Sequence, residues 1–112
     1  MTDKFSYFEL VYEVARHIPE GRVTNYGAIA DYLALGSARM VGWALYNSSA
    51  VMDGIPAHRV LNRKGELSGR NHFETPTKME ELLQAEGIEI KDNKVKDWDK
   101  HFWHPQEMDK LL

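Results

Sequence analysis

At 112 residues, with 43% hydrophobic and 28% charged residues, the chain has material for one small cored domain and not for two. It contains no cysteine, which excludes a disulfide scaffold, a thiolate metal site and redox switching. No apolar run reaches the roughly 18 residues of a membrane span, and a net charge of −3 argues, taken alone, against a nucleic-acid partner.

The N-terminal residues Met1-Thr2-Asp3-Lys4-Phe5 lack the basic start and apolar stretch of a secretion signal, so a cytoplasmic location is expected. Phe5, Phe8, Val11, Tyr12, Ala15 and Ile18 then recur at helical spacing, and Pro19-Glu20-Gly21 ends that first helix. Arg22-Val23 is a short extended link. Thr24 is expected to cap a second helix through Leu33, with Tyr26, Ile29, Ala30 and Leu33 as inward or interfacial positions. Leu35-Gly36 breaks it, and Ser37 caps a third helix from Ala38 to about Tyr46.

Two short capped helices joined by a glycine-containing turn have the proportions of a helix-turn-helix, whose second member lies against a DNA groove. Many small helical domains contain such a pair, so the residues of the third helix matter. Its small residues Ala38, Gly42 and Ala44 allow close approach, either to the first helix or to DNA, and Gly42 costs about 1 kcal/mol of helix stability relative to alanine.

Further along, Val60-Leu61 and Glu66-Leu67 flank Asn62-Arg63-Lys64-Gly65 and read as a hairpin with turn residues at its tip. Thr75-Pro76 opens a helix with a cap and an N1 proline; Thr77 and Glu80 offer an alternative capping box, and Gly87 closes the helix. Ile88-Glu89-Ile90 and Val95-Lys96 around Asp92-Asn93 read as a second hairpin. The segment from Trp98 to Leu112 is aromatic and irregular, with Trp98, Phe102 and Trp103 expected to cover the core. The predicted architecture is a single domain over 1–112, mainly α with small β-hairpins, built on a winged-helix-like helix-turn-helix.

Charge distribution reverses what net charge suggests. Residues 1–15 carry −2 and residues 73–112 carry −4, whereas residues 16–72, with Arg16, Arg22, Arg39, Arg59, Arg63, Lys64 and Arg70, carry +3. The basic surplus thus sits on the segment that holds the helix pair, although a solvated bias of this size is also common in ordinary proteins. Other chemistries fail on spacing. His101 and His104 lack a third ligand at a recognisable interval, so no metal is expected. Gly65-Glu66-Leu67-Ser68-Gly69 lacks the lysine and strand-to-helix context of a phosphate loop.

Four blocks, Val23-Thr24-Asn25-Tyr26-Gly27, Ala38-Arg39-Met40-Val41-Gly42, Pro56-Ala57-His58-Arg59-Val60 and Glu86-Gly87, occur together in order over about residues 5 to 90. In that order and spacing the chain resembles the DNA-binding domain of the O6-alkylguanine-DNA alkyltransferases. Their active-site motif is Pro-Cys-His-Arg-Val, and its cysteine takes the alkyl group from a damaged guanine; here that position is Ala57. A thiolate is the nucleophile of this chemistry and a methyl group cannot replace it. The combination is similar to the alkyltransferase-like proteins, which bind alkylated DNA without repairing it.

The resemblance implies roles residue by residue. Arg39 matches the arginine that fills the gap left by an extruded guanine; read without the family it is a surface salt bridge or a phosphate contact. Tyr26 matches the tyrosine that crowds the phosphate 3′ to the target, and alone it reads as core packing. Pro56, Ala57, His58 and Val60 are expected at the lesion pocket. Arg70 matches a basic residue over that pocket, against the plain reading of a solvated loop charge. His58 and Glu86, which activate the cysteine in true alkyltransferases, have nothing to activate here and are assigned with Arg59 to holding the pocket's shape.

The expected function is non-catalytic binding of O6-alkylguanine in double-stranded DNA by nucleotide flipping, without a cofactor. The resemblance further implies that a monomer flags the damage for nucleotide excision repair through a UvrA-type protein. The alternative is a helix-turn-helix transcription regulator without lesion specificity. It would need base-edge donors along a recognition helix that is here largely apolar.

Overall fold

The computed structural model describes residues 4–47 and 54–111. Helix α1, Lys4–Arg16, buries Val11, Tyr12, Val14 and Ala15, and the chain tightens at its end as the amides of His17 and Ile18 donate to Val14 and Ala15. The expected periodicity is thus present from Phe8 onward, while the side chain of Phe5 lies outside the described residues. Gly21, at φ +83°, turns the chain. The amide and carbonyl of Val23 then pair with His101 and Trp103 near the C-terminus.

Thr24 does not cap the second helix. It is fully buried in strand β1, Thr24–Asn25, and its hydroxyl finds no partner among the described residues. The cap is Asn25, whose Oδ1 accepts the amide of Ala28 at 2.7 Å and starts α2, Tyr26–Tyr32. One residue makes the difference: the chain turns helical at Tyr26, so the extended residue directly before the first turn is Asn25, and Thr24 stands one position too far out.

Helix α2 ends at Tyr32 with Leu33 as its C-cap, close to the expected end. Leu35 donates to Ala30 and Ala34 to Asp31, a Schellman closure with Ala34 left-handed at φ 57° where glycine is usual. Helix α3, Ala38–Leu45, follows within five residues, as expected, although Ser37 sits at its N-cap without a side-chain bond. Val41, Ala44 and Leu45 face inward. The phenols of Tyr7 and Tyr12 donate from α1 to the α3 carbonyls of Met40 and Ala44, each at 2.9 Å. These two bonds fix the angle and depth of α3, and hence which face it shows to solvent.

The expected hairpin after Val60 is replaced by a long-range pairing. Strand β2, Val60–Leu61, runs parallel to β1 with Thr24 opposite Val60 and Asn25 opposite Leu61. The Asn62–Gly65 turn itself exists, with Gly65 donating to Asn62, but beyond it Glu66 bridges to Lys94. The second hairpin is present as β3, Ile90–Lys91, and β4, Lys94–Val95, joined by Asp92 and Asn93 at φ 53° and 60°. Two left-handed residues are what a type I′ hairpin turn requires.

Between them, α4 covers Lys78–Ala85 and not the stretch from Thr75; Thr77 stands at its start but spends its hydroxyl on Glu81. Gly87, at φ +87°, closes it with the same Schellman bonds seen after α2. Two apolar clusters result. One joins α1, α2 and α3 to Ile55, Ala57, Val60 and Trp103; the other gathers Val23, Leu61, Leu67, Met79, Leu83, Ile88 and Val95, with Trp98 packed against it. Trp103 and Trp98 therefore cover the two clusters as expected, from a short helix α5, Trp98–His101, and the segment after it; Phe102 stacks on Trp98 at 5.3 Å.

Candidate nucleic-acid interface

With Val41, Ala44 and Leu45 turned inward, helical geometry leaves Ala38, Arg39, Gly42 and Trp43 on the outer face of α3. Arg39 is exposed and pairs with no carboxylate among the described residues. Nothing stands within 4 Å of where a Cβ on Gly42 would be, so the helix backbone is open to approach there.

The four residues of the outer α3 face line a groove of about 1010 Å³ together with Tyr26, Tyr46, Ser68 and His72. Among the described residues no acidic side chain lines it. Within its lining the Tyr26 and Tyr46 hydroxyls meet at 3.1 Å, and the Tyr46 ring stacks on His72 with centroids 4.2 Å apart and planes 16° from parallel. Burial pushes both phenols above the ordinary tyrosine value, so both remain neutral donors at physiological pH. Gly69 supports the pair: a Cβ there would lie 2.0 Å from the Tyr46 oxygen and 3.0 Å from that of Tyr26.

The loop that precedes β2 is held from behind. Ala57–Arg59 form a 3₁₀ turn, and the side chains of His58 and Arg59 converge on Glu86 at the end of α4. Arg59 donates to both carboxylate oxygens, Nε at 3.0 Å to each and Nη2 at 2.8 Å to Oε2, and sends Nη1 to the carbonyl of Ile18 at 2.9 Å. The Gly21 amide adds a bond to Oε1 at 2.8 Å. Burial pushes the Glu86 carboxyl up, but the bonds from Arg59, Gly21 and His58 outweigh it and hold the group below the usual carboxylate value.

His58 meets Glu86 Oε2 through Nε2 at 2.6 Å. Burial, aided by the Arg59 charge, lowers its pKa despite the carboxylate beside it, so the imidazole is neutral and Nε2 carries the donated proton. In a thiol-bearing homologue such a pair would be poised to take a proton. Here the neighbouring side chain is the Ala57 methyl, which has no proton to give.

The expected site residues divide accordingly. Tyr26 and Arg39 share the groove along α3. Pro56, His58 and Arg59 face a second depression of about 650 Å³, together with Arg16, Lys78 and Leu82. Ala57 and Val60 are 2% and 0% exposed and line neither. Arg70 also lines neither; it opens a short 3₁₀ turn and its Nη1 donates to the Leu67 carbonyl at 3.0 Å. Trp43, Tyr46 and His72 line the groove, and Gly69 lies against the Tyr46 hydroxyl, without having been singled out from the sequence. Helical spacing from Arg39 to Trp43 and Tyr46 was the available signal for two of them; His72 and Gly69 carry none without the loop's path.

Residues 6–88 match the family described as the 6-O-methylguanine DNA methyltransferase, DNA binding domain. Alkyltransferase-like protein 1 of Schizosaccharomyces pombe is 35% identical over 85 residues, which is 75% of this chain and 78% of that protein. A DNA base-flipping protein of Vibrio parahaemolyticus is 35% identical over 98 residues, 85% of this chain and 93% of that protein. The crystal structure of S. pombe Atl1 in complex with damaged DNA containing O6-carboxymethylguanine superposes with a TM-score of 0.77 at 29% identity, over 94% of this chain and 100% of that one.

Proposed function

The chain belongs to the family of the 6-O-methylguanine DNA methyltransferase DNA-binding domain, as an alkyltransferase-like member, and from that premise we propose that it binds O6-alkylguanine in duplex DNA by extruding the damaged nucleotide. It does not transfer the alkyl group, because position 57 is alanine and the chain has no cysteine. The observation that carries the proposal is the placement of Arg39: an exposed guanidinium that lines the groove, with neither a carboxylate partner nor an acidic groove residue among the described residues. A planar cation so placed can stack in the gap of an extruded base and donate to the orphaned partner.

In this reading Tyr26 crowds the backbone next to the target. The lesion pocket is assigned to Pro56, Ala57, His58, Val60 and Arg70, on the frame of Arg59 and Glu86. Ala57 and Val60 are buried in the free protein. An extruded base therefore reaches them only by displacing what covers them. The protein is further proposed to act as a cytoplasmic monomer that presents the unrepaired lesion to nucleotide excision repair through a UvrA-type protein; the support for that coupling is the family resemblance alone.

A sequence-reading regulator fits the α3 face less well, because regulators place several base-edge donors along the recognition helix. Here Ala38, Gly42 and Trp43 occupy the positions around Arg39. The two readings part on base extrusion. A duplex with 2-aminopurine beside O6-methylguanine should brighten on binding, and Arg39→Ala should weaken lesion binding more than binding to undamaged duplex. Equal losses on both duplexes would reduce Arg39 to a phosphate contact.

A further inference from the structure

Trp43 is 61% exposed, on a chain whose other described tryptophans are packed, Trp103 in the first cluster and Trp98 against the second. A lone exposed apolar residue needs no explanation. Trp43 is not alone in that sense: it lies one helical turn from Arg39 and lines the same groove, which has no carboxylate among the described residues. Their neighbours in the groove from the same helix, Ala38 and Gly42, are small, so a surface approaching α3 from the groove meets the Arg39 and Trp43 side chains first.

We propose that Trp43 is a second DNA-contacting residue of this face, its indole wedged against the base stack beside the position that Arg39 occupies. This rests on the reading of α3 as the DNA-binding helix. Four residues of helix advance roughly 6 Å, close to two steps along a DNA strand, so Arg39 and Trp43 can engage the duplex about two nucleotides apart without sharing a site. Partly unstacked steps next to an extruded nucleotide offer base faces that an intact duplex does not, and aromatic side chains exploit such faces. The cation supplies attraction to the polyanion; the indole supplies apolar area where the stack is opened. Trp43 would thereby favour the duplex in which a nucleotide has left the helix.

The test uses the full chain with Trp43→Ala and Trp43→Phe, duplexes with and without O6-methylguanine, and acrylamide quenching of tryptophan fluorescence. Subtracting the Trp43→Phe signal isolates the Trp43 indole. Acrylamide should reach it in the free protein and be shut out in the lesion complex. Trp43→Ala should weaken lesion binding roughly tenfold, with a smaller loss on undamaged duplex, and Trp43→Phe should retain most of the affinity. An indole equally open to acrylamide in free and bound protein, or lesion affinity unchanged in Trp43→Ala, would overturn the proposal. So would a shift in sedimentation of Trp43→Ala without a change in DNA binding, which would make this face a contact between copies of the chain. If the unmodified protein binds neither duplex, the reading of α3 itself fails, a result distinct from normal lesion binding that ignores Trp43.

Discussion

The Arg59 guanidinium grips both oxygens of the Glu86 carboxylate across 27 residues of sequence, with both side chains largely buried, at 16% and 9% exposure. Because Glu86 also accepts from His58 and from the Gly21 amide, this one carboxylate ties the loop before β2 to the turn after α1 and to the end of α4. Glu86→Ala would leave a buried guanidinium without its counter-charge. Removing one partner of such a pair costs about 3–5 kcal/mol, far more than the pair's net contribution when intact. Urea denaturation should show that loss.

The same cluster sets a pH dependence. His58 is lowered from 6.5 in the fold, so below pH 6.5 the unfolded chain binds a proton that the folded protein refuses, and stability falls as pH drops toward the folded value. Glu86 is lowered from 4.5, so its contribution is complete above that pH and is lost as pH falls through the folded value. Melting temperature should therefore decline in two stages on acidification. His58→Gln should remove the first stage and leave the second.

Helices α2 and α4 end in the same hydrogen-bond pattern, but one places Ala34 and the other Gly87 in the left-handed position. A Cβ in that conformation costs about 1–2 kcal/mol, offset in part by the greater entropy glycine loses on folding. Ala34→Gly should stabilise the protein by about 0.5–1 kcal/mol, and Gly87→Ala should destabilise it by a similar amount. Chemical denaturation of the two variants gives both signs, and the pair is informative because neither residue touches the groove.

Local patterns in the sequence foretold local structure. The third helix and the Asp92-Asn93 hairpin are legible because apolar spacing and turn chemistry each lie within a few residues. The second helix is legible in extent but not at its start: Thr24 and Asn25 are both good caps, and only the point at which the chain leaves the β1–β2 pairing, after Asn25, decides between them. That pairing joins positions 24 and 60 and leaves no periodic trace, so Val60-Leu61 reads as half of a hairpin that it does not form.

At the site, motif matching found Tyr26, Arg39, His58, Arg59 and Glu86, which the fold groups into a groove and a loop anchor. It did not find Tyr46 or Gly69, because their contact depends on how the loop after β2 folds back over α3. Helical spacing puts Trp43 on the side of Arg39, but which side of α3 faces solvent is set only by its packing and by the tyrosine bonds from α1.

The central claim is selective, non-catalytic capture of alkylated guanine, and equilibrium binding to two duplexes that differ only by O6-methylguanine tests it most directly, with both components recovered afterwards for mass analysis. Tighter binding to the lesion duplex, with the lesion intact and the protein's mass unchanged, is the predicted result. Equal affinity for the two duplexes, or a methyl group found on the protein, would contradict it.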